Sequence, residues 1–311
     1  MYKEDIIKAH QRIKPYIHNT PVLSSNLINK IVGAKLYFKC ENFQKTGAFK
    51  MRGAANAIIQ LTKEEKAKGV VTHSSGNFAQ ALSLAAKILG VKAYIVMPKT
   101  TSEVKKNAVR EYNGNIIECE PTLLARENSV KKIQEKEGAT FIHPSNDLNV
   151  VLGHGTATRE LLENQVNLEY IVTPVGGGGL VAGTIIAATC FAKDCKVIGG
   201  EPFEADDAFR SLQSGKIESN KSINTVAEGL KTQLGSINFP IIRRGIEKII
   251  RVSEKEIISA MRLVWERLKI VCEPSSAVAL AAIIREKEKF KNKNIGIIIS
   301  GGNVDLDKLP F

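Results

Sequence analysis

A chain of 311 residues and 34.0 kDa is long enough for two domains or one large α/β unit with a sizeable buried core. Hydrophobic residues at 43%, charged residues at 24% and a mean hydropathy of -0.08 exclude disordered, collagen-like and low-complexity chains. The formal net charge of +12 is carried by scattered basic residues and pairs such as Lys131-Lys132 and Arg243-Arg244, so nucleic-acid binding is not expected and anionic small molecules are favoured.

The first residues, MYKEDIIKAHQRIKPY, are charged throughout and lack an apolar run, so no cleaved signal peptide and a cytoplasmic location are expected. The uncharged stretch from Ile171 to Ala192 is long enough to be tested as a membrane span. Pro174 and the glycines at 176, 177, 178, 179 and 183 instead describe a strand, a loop and a buried helix, so no membrane partner is expected. Cys40, Cys119, Cys190, Cys195 and Cys272 are odd in number and lack zinc-binding spacing, which implies reduced thiols.

Taken in chain order, the first predicted strand is Lys35 to Cys40. The segment ENFQKTGAFKMRGAANAI follows it, placing Lys50 after a Gly-Ala-Phe turn at the start of a helix. A lysine in an apolar setting near cations, here Lys45 and Arg52, has a lowered pKa and can form a Schiff base; its ordinary alternative is a solvated side chain. A strand from Val70 to His73 then meets a helix from Asn77 to Leu89 at Ser74, Ser75, Gly76 and Asn77, where N–H groups and hydroxyls suit either a carboxylate or a plain N-cap. Strands at Ala93 to Met97 and Thr140 to His143 flank a helix from Leu123 to Glu137, and another helix runs from Val150 to Glu163.

The strand Tyr170 to Pro174 leads into TPVGGGGLVAG and a helix from Leu180 to Phe191. Backbone N–H groups at such a helix start make a phosphate cradle. Gly177, Gly179 and Ala182 also satisfy G-x-G-x-x-A, with Glu201 after the next apolar run, so a dinucleotide site and a simple packing turn remain alternatives at this point. No Lys-Ser/Thr follows, which argues against a P-loop. A strand at Lys196 to Gly199, helices at Glu254 to Lys269 and Ser275 to Glu286, and a strand at Ile295 to Ser300 complete the series, the last ending in SGGN. A serine there can meet a heterocyclic ring nitrogen or close a turn. Alternating strands and helices imply an α/β fold with largely parallel sheets, and ligands collect where strand ends meet helix starts.

In this order, FQKTGAFKMRGA, SSGNFAQA, VGGGGLVAG, LVWERLKIVCEPSSAVALAA and ISGGNVDL resemble the fold type II pyridoxal-phosphate enzymes, within them the serine racemase and threonine dehydratase group. The resemblance spans nearly the whole chain and implies a tryptophan synthase β-like architecture of two open, twisted, mostly parallel sheets flanked by helices. It implies a larger domain of residues 1–68 and 147–311, a smaller mobile domain of residues 69–146, and a homodimer. Lys50 matches the lysine that carries the cofactor as a Schiff base, with Phe49 before it. Gly176, Gly177, Gly178 and Gly179 match the phosphate loop, Asn77 lies beside the ring oxygen and Ser300 meets the pyridine nitrogen. The dinucleotide alternative leaves Lys50 and Ser300 unexplained.

The resemblance implies that Lys50 removes the substrate α-proton and that a β-hydroxyl then leaves, giving a 2-oxo acid and ammonia. A neutral serine at the pyridine nitrogen favours elimination or racemisation over transamination. Racemisation needs an acid/base on the opposite face, and Ser75 matches that residue in serine racemases; its plainer role is carboxylate binding with Ser74, Gly76, Asn77, Phe78 and Thr232. Arg126 matches a substrate-closing arginine. Glu201, the Ala205 carbonyl and Asp207 match a divalent-cation site, and oxygen ligands suit Mg²⁺ or Ca²⁺. Ser24, Asn26, Lys45 and Thr46 match a nucleotide effector site.

Three positions depart from the group: Phe78 replaces a histidine, Ser145 an asparagine and Glu228 an aspartate, which leaves the preferred β-hydroxy amino acid open. The end at Phe311 leaves no room for a regulatory domain, so isoleucine feedback is not expected. The expected activity is racemisation, dehydration or both; the alternatives are a threonine, serine or 3-hydroxyaspartate ammonia-lyase without racemase activity, and a silent amino-acid sensor.

Overall fold

The computed structural model describes residues 2–164 and 167–311. Ten strands form two sheets: β1 (Val22–Leu23), β2 (Lys35–Cys40), β3 (Val70–His73), β4 (Ala93–Pro98), β5 (Asn115–Cys119), β6 (Thr140–Phe141), β7 (Tyr170–Pro174), β8 (Lys196–Pro202), β9 (Ile246–Val252) and β10 (Asn294–Ile299). The larger sheet has the order β1-β2-β10-β7-β8-β9 and the smaller the order β5-β4-β3-β6. Among the pairs of these strands in the described residues, only β1–β2 is antiparallel. The expected two-sheet α/β architecture is therefore present, and the strands carry near-continuous apolar runs because helices cover both faces.

The elements differ from the expected bounds mainly at their ends. The strand expected at residues 140–143 stops at Phe141, and the one expected at residues 196–199 continues to Pro202. The edge strands β1, β5 and β9 have no counterpart in the sequence pattern: VL is too short to show one, and NIIEC and IEKIIRV are broken by polar side chains because an edge is half exposed. The helix Glu254–Leu268 begins with a Ser253 capping box and ends where Lys269 turns left-handed, at φ 60°.

Backbone-to-backbone helix packing sets the position of the motifs. A Cβ on Gly153 would lie 2.5 Å from Arg52 O, and one on Gly183 would lie 2.5 Å from Val151 O. The helices Lys50–Ile59, Leu148–Asn164 and Gly179–Phe191 thus meet at distances that leave no room for side chains. Arg52, wholly buried one turn into the first of these, binds Glu41 and Glu160 along two edges of its guanidinium, at 2.7–2.8 Å. Among the described residues no helix is long and apolar enough to cross a membrane.

Candidate active site

The turn before Lys50 is stitched to the end of β10. Phe49 N–H donates to Ser300 O at 3.0 Å, and Ala48 forms a β-bridge with Gly301. Gly47, at φ 68°, would press a Cβ to 2.5 Å from Asn303 Oδ1, so glycine is required there. Lys50 Nζ donates to Pro144 O at 2.8 Å and lies 4.9 Å from the Phe49 ring centroid and 5.6 Å from that of Phe78. Burial pulls its pKa down to about 8, against the opposing pull of the Glu273 carboxylate. This corrects the expected cause. Arg52 faces Glu41 and Glu160, and neither it nor Lys45 contributes to the depression.

The glycine loop leaves β7 and opens the helix Gly179–Phe191, with Gly178 left-handed at φ 80°. Cβ atoms on Gly177 and Gly178 would lie 2.4 Å from Ser145 Oγ and 2.7 Å from Asn238 Oδ1. Asn238 Nδ2 donates to Gly177 O at 2.7 Å and to Ser145 O at 3.2 Å, fixing the loop. Thr232 Oγ1 borders the same loop, 3.1 Å from where a Gly176 Cβ would stand. The result is a rigid set of backbone donors at a helix N-terminus, a site for an anion such as phosphate.

The third wall is the β3 junction. Ser74, Ser75, Gly76 and Asn77 are half-buried, and Phe78 is buried in the adjoining core. Asn77 Nδ2 donates to both Glu273 oxygens at 3.0 Å, while Asn77 Oδ1 accepts from Asn303 Nδ2 at 2.9 Å. Burial pushes the Glu273 carboxyl up to about 7, resisted by the Asn77 amide. Ser300 Oγ, buried at the end of β10, pairs with Ser276 Oγ at 2.9 Å; Ser276 Oγ in turn bonds Gly301. A neutral hydroxyl pair, not a carboxylate, therefore stands where a ring nitrogen is expected.

The family of pyridoxal-phosphate dependent enzymes matches residues 13–301 of this chain. The chain belongs to that family. Among its relatives is a serine racemase of Dictyostelium discoideum, 52% identical over 310 residues, covering 98% of this chain and 96% of that one. A beta-hydroxyaspartate dehydratase of Paracoccus denitrificans is 47% identical over 308 residues, covering 99% and 98%. The structure of maize serine racemase superposes with a TM-score of 0.96 at 44% identity, covering 98% of this chain and 94% of that one.

As a pyridoxal-phosphate enzyme, the chain links Lys50 to Phe49, Phe78 and Pro144, Phe49 to Ser300, Asn77 to Gly301, and the glycine loop to Ser145 and Thr232 by direct contacts. Arg126 is not drawn in: it is half-buried on the helix Leu123–Glu137, its Nε reaches only Thr122 O at 3.4 Å, and its charge acts on His73. Glu273 was not singled out in the sequence, although CEPSSAV marks a helix start by Pro274 and leaves a glutamate before it. His143 was also not singled out; its Nδ1 accepts the Ser145 and Asn146 N–H groups at 3.1 and 2.8 Å, which shapes the turn that presents Pro144 O to Lys50.

Glu201, Ala205 and Asp207 lie together at the end of β8, all buried. Glu201 accepts N–H bonds from Ala208 and Phe209 at 2.9 and 2.8 Å, and Asp207 Oδ2 accepts from Leu234 N at 3.1 Å. Asp207 Oδ1 is buried without a partner. Burial and the neighbouring Asp207 charge push Glu201 well above the usual carboxylate range, and burial pushes Asp207 up to about 6. No cluster of three His, Cys, Asp or Glu side chains exists among the described residues, so any cation here relies on a carbonyl as well. Thr46, of the expected effector set, has a left-handed φ of 62° and a buried, unpartnered hydroxyl, while its carbonyl accepts from Asn303 Nδ2 at 2.8 Å.

Proposed function

We propose that this pyridoxal-phosphate enzyme racemises or dehydrates small β-hydroxy amino acids, with Lys50 holding the cofactor and moving the substrate α-proton. The observation that carries the reading is the half-buried Lys50, its amine held by Pro144 O and brought down to about 8, opposite a glycine cradle one turn of chain away through Ser145. Pyridoxal phosphate supplies an electron sink for the bond to be broken at Cα. The chain supplies the rest. Gly176 to Gly179 offer backbone N–H groups to the phosphate, Ser300 offers a neutral partner to the ring nitrogen, and Asn77, oriented by Glu273 and Asn303, offers its amide to the ring oxygen.

Lys50 in its neutral form accepts the α-proton from one face, and Ser75 exchanges a proton from the other. Ser74, Gly76, Phe78 and Thr232 line the substrate's carboxylate end, and Arg126 closes on substrate only after the small sheet moves. The names of the relatives, racemases and dehydratases over nearly the whole chain, favour turnover over a silent sensor. A dehydratase without racemase activity is the reading if Ser75 only binds carboxylate. Ser75→Ala separates the two: with L-serine, L-threonine and 3-hydroxyaspartate as substrates, chiral analysis is expected to show racemisation reduced roughly 10²- to 10⁴-fold and elimination from the L-isomer largely kept. Equal loss of both products would sink the two-face assignment.

Residues 69–146 form the mobile part in this reading; they hold the smaller sheet, and an exposed Lys105–Glu228 ion pair of 2.6 Å ties them to the cradle side. The Glu201, Ala205 and Asp207 group holds Mg²⁺ or Ca²⁺, supported by the unpartnered Asp207 Oδ1 and by two mutually repelling buried carboxylates. A nucleotide binds near Ser24, Asn26, Lys45 and Thr46, and the exposed apolar Leu27 and Ile31 beside this segment cover a homodimer contact. A cytoplasmic setting agrees with five unpaired cysteines.

A further inference from the structure

Beneath the Lys50 turn lies a titratable side chain that the reaction does not use. His154, on the helix Leu148–Asn164, is fully buried, and among the described residues neither of its ring nitrogens has a hydrogen-bond partner. A neutral imidazole carries one N–H and one lone pair, and leaving both unmet in the interior is unfavourable enough to call for a reason. A leucine would fill similar space without that penalty.

The surroundings are built around the ring. A Cβ on Gly53 would come 2.4 Å from His154 Nε2, so the helix carrying Lys50 makes room for the imidazole. The ring meets Phe49 edge-to-face, with centroids 4.5 Å apart and planes at 67°. On its other side the Gly179 backbone approaches without reaching hydrogen-bonding geometry. The charged groups that face it are Lys50 and Arg52, and both, with burial, hold it neutral. His154 therefore touches the two places where the cofactor is expected to be gripped, the residue before the lysine and the first residue of the phosphate helix, while keeping its own polar atoms unused.

We propose that His154 is a positioning residue of the cofactor site, holding Phe49 and the start of the Gly179 helix in place and gaining its own hydrogen bond only when the cofactor phosphate and its ordered water fill the glycine loop. This rests on the assignment of Lys50 and Gly176 to Gly179 to pyridoxal phosphate. A phosphate dianion brings acceptor oxygens and bridging water to a ring whose nitrogens have no well-formed hydrogen bond among the described residues.

The test uses cofactor-free wild type, His154→Leu and His154→Gln, each titrated with pyridoxal phosphate, with the ³¹P resonance of the bound phosphate read in parallel. His154→Leu is expected to bind roughly tenfold or more weakly and to shift the phosphate resonance, because a hydrogen bond to a charged group is lost. His154→Gln, which keeps an N–H, is expected to restore most of the affinity. A role in packing alone would lower the melting temperature of the cofactor-free leucine variant and leave affinity and resonance unchanged, which overturns the proposal. If His154→Leu does not fold, the His154 ¹⁵N resonances of wild type serve instead: they are expected to move on loading, and invariance overturns it. Wild type that captures no pyridoxal phosphate removes the underlying assignment as well, whereas capture unaffected by either substitution removes only this one.

Discussion

Lys50 Nζ has one acceptor, Pro144 O, and two aromatic faces around it, and this environment decides how the amine behaves before cofactor arrives. Withdrawal from water disfavours the ammonium more than the distant Glu273 favours it, so the group titrates at about 8 rather than at 10.5. Only the neutral amine attacks an aldehyde. The rate at which cofactor-free protein captures pyridoxal phosphate is thus expected to rise about tenfold per pH unit below that pKa and to level off above it. Stopped-flow absorbance across this range reads the curve directly, and a rise continuing unchanged to the ordinary lysine pKa would contradict the buried environment. Lys50→Ala is expected to lose the visible band and the covalent mass added by borohydride.

The helix Lys50–Ile59 keeps its register through Arg52, whose guanidinium binds Glu41 on one side and Glu160 and Thr156 on the other, with Lys39 completing the charge balance at 2.7 Å from Glu160. All four charged side chains are nearly inaccessible, so removing one leaves the others uncompensated. Arg52→Ala is expected to cost about 3–5 kcal/mol, and Arg52→Lys less but still measurably, because an ammonium cannot make the paired fork contacts. Urea midpoints check both, and a near-neutral alanine variant would show that the helix is held by backbone packing instead.

The group at the end of β8 is a second element-level device. Asp207 Oδ2 holds Leu234 N, close along the chain to Thr232 at the glycine loop, so a cation bound between Glu201 and Asp207 would stiffen that loop from behind. Mg²⁺ or Ca²⁺ at a hundredfold excess over Kd is expected to add about 2.7 kcal/mol of stability, and a chelator to remove it. Asp207→Asn should abolish the response in a thermal melt; a melting temperature indifferent to metal and chelator alike argues against the site.

At this scale the sequence was readable wherever the covering helices make strands wholly apolar. β7 and β10 lie inside the larger sheet, and their runs stand out for that reason. β1, β5 and β9 are edges and do not, whereas the edge β6 is legible through the run TFIH. Within the site, glycines and a lysine at strand-to-helix junctions carried their meaning locally, since each belongs to one turn. Glu273 and His143 act through partners 196 and two residues away, Asn77 in the first case and Ser145 in the second. Neither long-range pairing nor a turn built around an imidazole leaves a periodic trace. Arg126 illustrates the opposite: its place in the motif is legible, yet its hydrogen bond goes to Thr122 O and its charge acts on His73.

For the whole molecule, two sets of buried groups pull its acid stability in opposite directions. His10, His73, His143 and His154 are held below 6.5, chiefly by burial. Glu201, Asp207 and Glu273 are held above the usual carboxylate range, again by burial first. A lowered histidine binds its proton more readily in the unfolded chain, so its stabilising effect is complete above 6.5 and is lost as pH falls towards the folded value, about 4 for His143. A raised carboxyl does the reverse: its ionised form weakens the fold above the folded pKa, about 7 for Glu273, and this penalty is relieved as pH falls towards 4.5. The two sets therefore act with opposite sign as pH falls in cofactor-free wild type. Single substitutions separate them. Relative to wild type, His143→Gln is expected to become less costly between about pH 6.5 and pH 5, because the group that acid would have turned against the fold is gone. Glu273→Gln is expected to be most favourable near pH 7.5 and to lose that advantage on the way to about pH 5, because wild type then protonates its own carboxyl. Urea unfolding of the cofactor-free proteins at both ends of this range gives the two differences, and differences that do not change with pH in either variant would mean that these side chains are solvated rather than buried.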